Sequence, residues 1–171
     1  MARRKKKPAK PRKLISDAKL SGLFYSVDPS SGGGTSNPAI AIWRNGELEE
    51  VREIRLPKVI LERRLSALLS TLLEMEEPDI WAIEEVPPYI RTKYGSTVNF
   101  SLHKSIGLFQ AVWGHLKMIK IPVMAWKPYV KEVTNYEKTD AFDAVLIGYT
   151  ALREGGINVD LSQLSISEPE K

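Results

Sequence analysis

With 171 residues the chain is long enough for one domain with a substantial core, and its 43% hydrophobic and 27% charged content is ordinary for a soluble globular protein. No apolar run reaches bilayer length, and no signal-peptide core is visible. Cysteine is absent, which excludes disulfides and thiolate metal sites and suits a reducing compartment; His103 and His115 leave little material for histidine-based sites.

The net charge of +4 is unevenly spread. Residues 1–13 carry eight of the 25 Lys and Arg and no acid, so the other 17 bases face all 21 acids and the body is net −4. Prolines and like charges from Arg3 to Lys13 oppose a helix, so an arm over residues 1–21 is expected to be disordered. Phosphate contact through counterion release is one role for it; a solvated tail or a localisation signal is the other. The arm lacks the serine content and amphipathicity of a transit peptide.

In chain order, Leu23–Val27 reads as a buried strand, followed by a flexible turn at Pro29–Thr35. Ala39–Trp43 is apolar throughout, and Asn45-Gly46 signals a hairpin into Glu47–Leu56. Leu61, Leu65, Leu68 and Leu72 mark a helical face, with Glu62, Arg63, Arg64, Ser66 and Ser70 opposite. Ile80–Ile83 is a strand buried on both faces, and Pro87-Pro88 forces a loop carrying Tyr89, Arg91, Lys93 and Tyr94. A helix from about Val98 to Met118 places Leu102, Ile106, Phe109, Trp113 and Leu116 on one side and a small-residue stripe at Gly107, Ala111 and Gly114. Pro122–Ala125 reads as a short strand, Trp126–Lys138 as a basic connector, and Ala141 to about Arg153 as the last helix, closed by Gly155-Gly156. The order βββαβαβα predicts an α/β domain over 22–154 and a polar tail over 155–171.

Four acids stand where an apolar strand ends or a helix begins: Asp28, Glu84, Asp140 and Asp143. A carboxylate directly after an apolar strand is desolvated and needs a partner or a cation. Each also has a structural role open to it. Asp28 before Pro29 suits an Asx turn, Asp140 suits a helix N-cap, and Asp143 suits the first helical turn. Glu84, between Ile83 and Glu85-Val86, is harder to explain by structure alone. Ligand sites of parallel α/β sheets lie beyond the carboxyl ends of the strands, where Asp28 and Glu84 fall. Asp140 and Asp143, three apart, share a helix face. Carboxylates without His or Cys select hard cations, Mg²⁺ or Mn²⁺. Two such ions about 4 Å apart clamp the attacking and leaving oxygens of a phosphodiester.

These residues resemble the RuvC-type Holliday junction resolvases of the ribonuclease H-like nuclease superfamily. The family opens with a strand running into Gly-Ile-Asp-Pro-Gly, and here stands Ser26-Val27-Asp28-Pro29-Ser30. Its second acid follows an Ala-Ile-Glu strand, here Ala82-Ile83-Glu84-Glu85-Val86, and its closing Asp-x-x-Asp-Ala helix start is Asp140-Ala141-Phe142-Asp143-Ala144. Order and spacing match over roughly residues 22–153. The resemblance implies a mixed five-stranded sheet, three antiparallel strands plus two parallel, flanked by helices. It implies a homodimer that cuts four-way DNA junctions by paired symmetric nicks, with two Mg²⁺ ions per active site held by Asp28, Glu84, Asp140 and Asp143. It also implies a dimer interface at the helix Val98–Met118, though packing of its small stripe on the sheet is equally natural. No nucleotide cofactor and no membrane partner are implied. An intracellular location is expected, in cytoplasm or nucleoid, or in host cytoplasm for a viral protein.

Tyr89 could stack on an exposed base or be a plain loop residue. Arg91, Lys93, Lys104, Lys127, Lys131 and Lys138 are the candidate DNA contacts. Two departures stand out. Ser30-Ser31 and three glycines replace the family's glycine after the proline, and Val130-Lys131-Glu132 leads almost directly to Lys138-Thr139-Asp140, where the family has a lysine-rich turn and another helix. Such compaction suits a divergent, viral or phage-type member. Rival readings are a ribonuclease H-like nuclease for RNA–DNA hybrids or flaps, a junction-binding protein with vestigial acids, and half of an actin-like kinase, which needs two such domains.

Overall fold

The computed structural model describes residues 20, 22–30, 37–87, 90–92, 95–97, 100–133 and 139–160. The basic stretch 1–13 and the tail from 161 fall outside the described residues, as do Tyr89, Lys93 and Lys138; Arg91 is placed by its backbone alone. The elements in order are β1 (Leu23–Asp28), β2 (Ala39–Arg44), β3 (Glu47–Glu53), α1 (Leu61–Glu74), β4 (Ile80–Glu85), β5 (Ile90–Thr92), β6 (Gly95–Thr97), α2 (Phe100–Trp113), β7 (Lys117–Pro122), the short α3 (Val123–Trp126), a 3₁₀ turn (Lys127–Lys131) and α4 (Asp140–Glu154).

Five strands form one mixed sheet in the order β3-β2-β1-β4-β7, as expected. β1, β2 and β3 are antiparallel neighbours, while β4 runs parallel to β1 and β7 parallel to β4. Asn45 (φ 52°) and Gly46 (φ 87°) both take the left-handed conformation that a two-residue hairpin requires, which is why Asn-Gly sits there. The apolar runs of β1 and β4 are buried because helices cover both faces. Alternation sorts their side chains. Tyr25, Val27, Trp81 and Ile83 meet Leu68 and Leu72 of α1 and Phe109 and Trp113 of α2. Phe24, Ala82, Ile119 and Ile121 meet Ala144, Val145, Leu146 and Ile147 of α4.

A buried polar contact sets how α4 lies on the sheet. Ser26 Oγ donates to the Ala144 carbonyl at 2.8 Å and accepts from Trp43 Nε1 at 2.9 Å. Gly148 lies over this pair, where an added Cβ would collide with Ser26 Oγ and Trp43 Nε1. The helix can approach this closely only with glycine there.

Several boundaries differ from the sequence reading. α2 stops at Trp113, and the last strand is Lys117–Pro122 rather than Pro122–Ala125, because Met118, Ile119 and Ile121 find β4 as a partner. Val123–Trp126 is instead a helical turn, and the basic connector begins as a 3₁₀ turn. The Pro87–Tyr94 region is not all loop, since β5 and β6 pair as a small hairpin. β3 ends at Glu53, three residues short of Leu56. Arg64, expected on the solvent face of α1, is buried, with Nη1 donating to the Pro57 carbonyl at 3.0 Å. Among the described residues, no helix is long and apolar enough to cross a membrane.

Candidate active site

Val27 of β1 is paired with Ile83 of β4, so Asp28 and Glu84 are the next residues on neighbouring parallel strands. Val27 and Ile83 face the α1–α2 core, and alternation therefore turns Asp28 and Glu84 onto the α4 side at the carboxyl edge. Glu85 is exposed, the next residue in the alternation. On that side, the Ser26–Ala144 hydrogen bond ties the start of α4 to β1. Asp143 directly precedes Ala144, and Asp28 stands two residues beyond Ser26 on the same face. The sheet and α4 thus bring all four sequence-predicted acids to one edge.

Asp140 is not the helix cap. Thr139 takes that role, its Oγ1 accepting from the Phe142 N–H at 3.3 Å, so Asp140 is the first helical residue and Asp143 stands one turn on. Both lie where the helix dipole favours negative charge. Asp28 does make the Asx turn, since its Oδ1 accepts from the Ser30 N–H at 2.9 Å.

The electrostatics tie the four acids into one cluster. Burial pushes Asp28 up to about 8 against the pull of the Ser30 N–H, and Glu84, Asp140 and Asp143 push it in the same direction. Burial also raises Glu84, to about 7, with Asp143 and Asp140 adding to it and Lys127 opposing. Asp140 is raised by burial, then by Asp143 and Glu53, against the backbone N–H of Asn37. Each proton would thus be held unusually tightly unless a cation replaced it. The donor set, four carboxylates without sulfur or imidazole, fits hard divalent cations. Among the described residues, no group of three or more acids or histidines is already drawn together to hold an ion.

Lys127 and Lys131 are exposed on the 3₁₀ turn that follows β7 and α3, and Lys104 is exposed near the start of α2. Two residues at the edge escaped the sequence reading. Glu53 closes β3 opposite Ala39, the partner of Asp28, and accepts from Asn37 Nδ2 at 2.7 Å. Ser30 is 4% exposed, and its hydroxyl has no hydrogen-bond partner among the described residues.

No family model and no curated protein matches the chain. Solved structures do. RuvC of Thermus thermophilus in complex with a Holliday junction substrate superposes with a TM-score of 0.59 at 12% identity, over 79% of this chain and 96% of that one. Another structure of Thermus thermophilus RuvC gives 0.52 at 13% identity, over 78% and 96%. The fowlpox virus Holliday junction resolvase gives 0.40 at 14% identity, over 79% and 99%, too loose a superposition to add to the assignment. The chain has the fold of RuvC.

Proposed function

We propose that the chain is a structure-selective endodeoxyribonuclease that resolves four-way DNA junctions by paired, symmetric nicks. The observation that carries this reading is the placement of Asp28 and Glu84 on adjacent parallel strands, facing Asp140 and Asp143 of α4, in a RuvC fold. Asp28, Glu84, Asp140 and Asp143 would hold two Mg²⁺ ions, with Mn²⁺ able to substitute, and the ions would stabilise charge on the attacking and leaving oxygens of the phosphodiester. Ser26 and Gly148 keep α4 at the depth that lets its two acids share the edge with Asp28. Lys127, whose charge acts on Glu84, and Lys131 are exposed on the 3₁₀ turn and would meet flanking phosphates, as Lys104 would from α2. Arg91, Lys93, Lys138 and Tyr89 would add further DNA contacts in this reading, and the basic arm would add sequence-independent attraction.

Paired nicking calls for two sites. The outer stripe of α2 suits a homodimer: Gly107, Ala111 and Gly114 are exposed, and a Cβ added at Gly107 would meet nothing. The stripe therefore does not pack on its own sheet.

The test offers end-labelled four-way junction, duplex, flap and RNA–DNA hybrid to the protein with Mg²⁺. Junctions should be nicked at symmetric positions, and Asp143→Asn should bind the junction without cutting it. Hybrid cleavage without junction cleavage, or cutting that survives Asp143→Asn, overturns the proposal.

A further inference from the structure

Among the described residues, two buried side-chain polar atoms lack a hydrogen-bond partner, Ser30 Oγ and Trp126 Nε1. Both lie at the carboxyl edge of the sheet, one just beyond β1 and the other just beyond β7. Trp126 packs in the apolar cluster with Ile121 and Ala144, where its N–H indicates no ligand class. Ser30 is different. Its backbone N–H donates to Asp28 Oδ1, so residue 30 is folded back to a carboxylate of the acid cluster, and its own hydroxyl is buried.

Ser30 is disfavoured twice in the protein alone. Its φ of 54° is a left-handed conformation in which a side chain is strained, and its hydroxyl is enclosed without a partner. Glycine would remove both penalties at once. Strain of this kind, beside a cluster of buried acids, points to a function that needs the side chain. A hydroxyl so enclosed can meet a small ligand, not a base. A cation-bound water turns its oxygen to the ion and offers its hydrogens, so an unpaired hydroxyl oxygen complements it as an acceptor beside the carboxylates.

We infer that Ser30 is a positioning residue for the divalent cation at Asp28, its hydroxyl oxygen accepting from a water in the hydration shell of that ion. The inference rests on the metal site proposed above. It departs from a plain turn, in which residue 30 would only close the Asx ring and any residue tolerant of positive φ would serve.

The test measures Mn²⁺ binding, by loss of the free-ion paramagnetic resonance signal, and melting temperature with and without Mn²⁺. It uses the full chain, Ser30→Gly, Ser30→Ala and Asp28→Asn. Without ion, Ser30→Gly should melt about 2–5 °C higher than the parent. Both Ser30 variants should bind Mn²⁺ about ten-fold more weakly, as is typical when an outer-sphere partner is lost. Their Mn²⁺-induced rise in melting temperature should shrink accordingly. A purely structural serine would move stability and binding in the same direction; here they move in opposite directions. Binding as tight as the parent in both variants, or a lower melting temperature for ion-free Ser30→Gly, overturns the role of Ser30 while leaving the metal site standing. A parent that binds no Mn²⁺, or Asp28→Asn binding as tightly as the parent, overturns the metal site and this inference with it.

Discussion

The two ends of the sheet handle their polar groups in opposite ways. At the amino end, Asp79 clamps the start of β1 twice. Its carboxylate accepts from the Leu23 N–H at 2.8 Å, and its own N–H donates to the Leu23 carbonyl at 2.8 Å. Nearby, the Gly22 carbonyl accepts from the Asn45 N–H, and Trp81 Nε1 donates to the Trp113 carbonyl. At the carboxyl end, Asp28 is as deeply placed as a core residue yet faces Glu84, Asp140 and Asp143, and Ser30 and Trp126 each have a buried polar atom without a partner among the described residues. A chain that closes its backbone so carefully at one end and accumulates buried like charge at the other is stabilised at the first and carries at the second the perturbed carboxylates that the proposed metal site would use.

The strongest way to break this contrast is to remove charge from the carboxyl end. Asp28 and Glu84 are pushed up to about 8 and about 7, so in the folded state they keep protons that the unfolded chain releases near pH 4. Protonation therefore favours folding, and that stability is present in acid and lost as pH rises from about 4 through about 8. Metal-free protein should melt about 5–10 °C lower at pH 8 than at pH 5.5. Asp28→Asn should flatten most of that slope and cut junction cleavage by about a thousand-fold or more, as expected for losing a ligand of a catalytic ion. Excess Mg²⁺ should restore the parent's stability at pH 8 and leave Asp28→Asn nearly unchanged. Scanning calorimetry across pH, with and without Mg²⁺, reads all of this. A parent whose stability rises toward pH 8 without metal would remove the contrast between the two ends.

Much of the carboxyl end was legible in the sequence because strand ends and helix starts carry local signals. Asp28 and Glu84 follow apolar runs, and Asp140 and Asp143 follow a Thr that caps. The Asn45-Gly46 hairpin and the alternation of the later strands with helices made the mixed sheet legible. What stayed hidden depends on long-range register. A hairpin counted back from Asn45-Gly46 puts residue 52 opposite Ala39, but a bulge between Ile42 and Trp43 shifts the pairing and brings Glu53 there instead. The burial of Arg64 depends on the Pro57 carbonyl, which no helical period reveals. The start of β7 at Lys117 was read as helix because Met118 and Ile119 extend an apolar pattern that either period can absorb.

A substitution midway between the ends tests whether they are mechanically joined. Gly148→Ala would put a methyl group into Ser26 Oγ and Trp43 Nε1, and α4 would have to lift from β1 and β2. Overpacking of this kind costs about 1–3 kcal/mol and should lower the melting temperature by about 2–9 °C. Cleavage by the remaining folded protein should also fall, because the same helix carries Asp140 and Asp143. Normal turnover per folded molecule would mean that the acids do not depend on the depth of α4.

The smallest expected effect comes from the amino end. Asp79→Ala removes the side-chain acceptor of the Leu23 N–H while leaving the backbone bond between the same residues. Losing one such hydrogen bond costs about 1 kcal/mol, or about 2–4 °C in a chain of this size. Asp79→Asn, whose amide oxygen can still accept, should recover part of it. Neither variant should alter junction cleavage per folded molecule, nor the slope of stability between pH 5.5 and 8, since Asp79 lies at the far end of β1 from Asp28. Calorimetry and single-turnover cleavage on the same preparations separate the two quantities. A loss of cleavage at Asp79→Ala larger than its loss of folded protein would mean that the clamp at Leu23 governs where Asp28 sits, and that the two ends of β1 work as one.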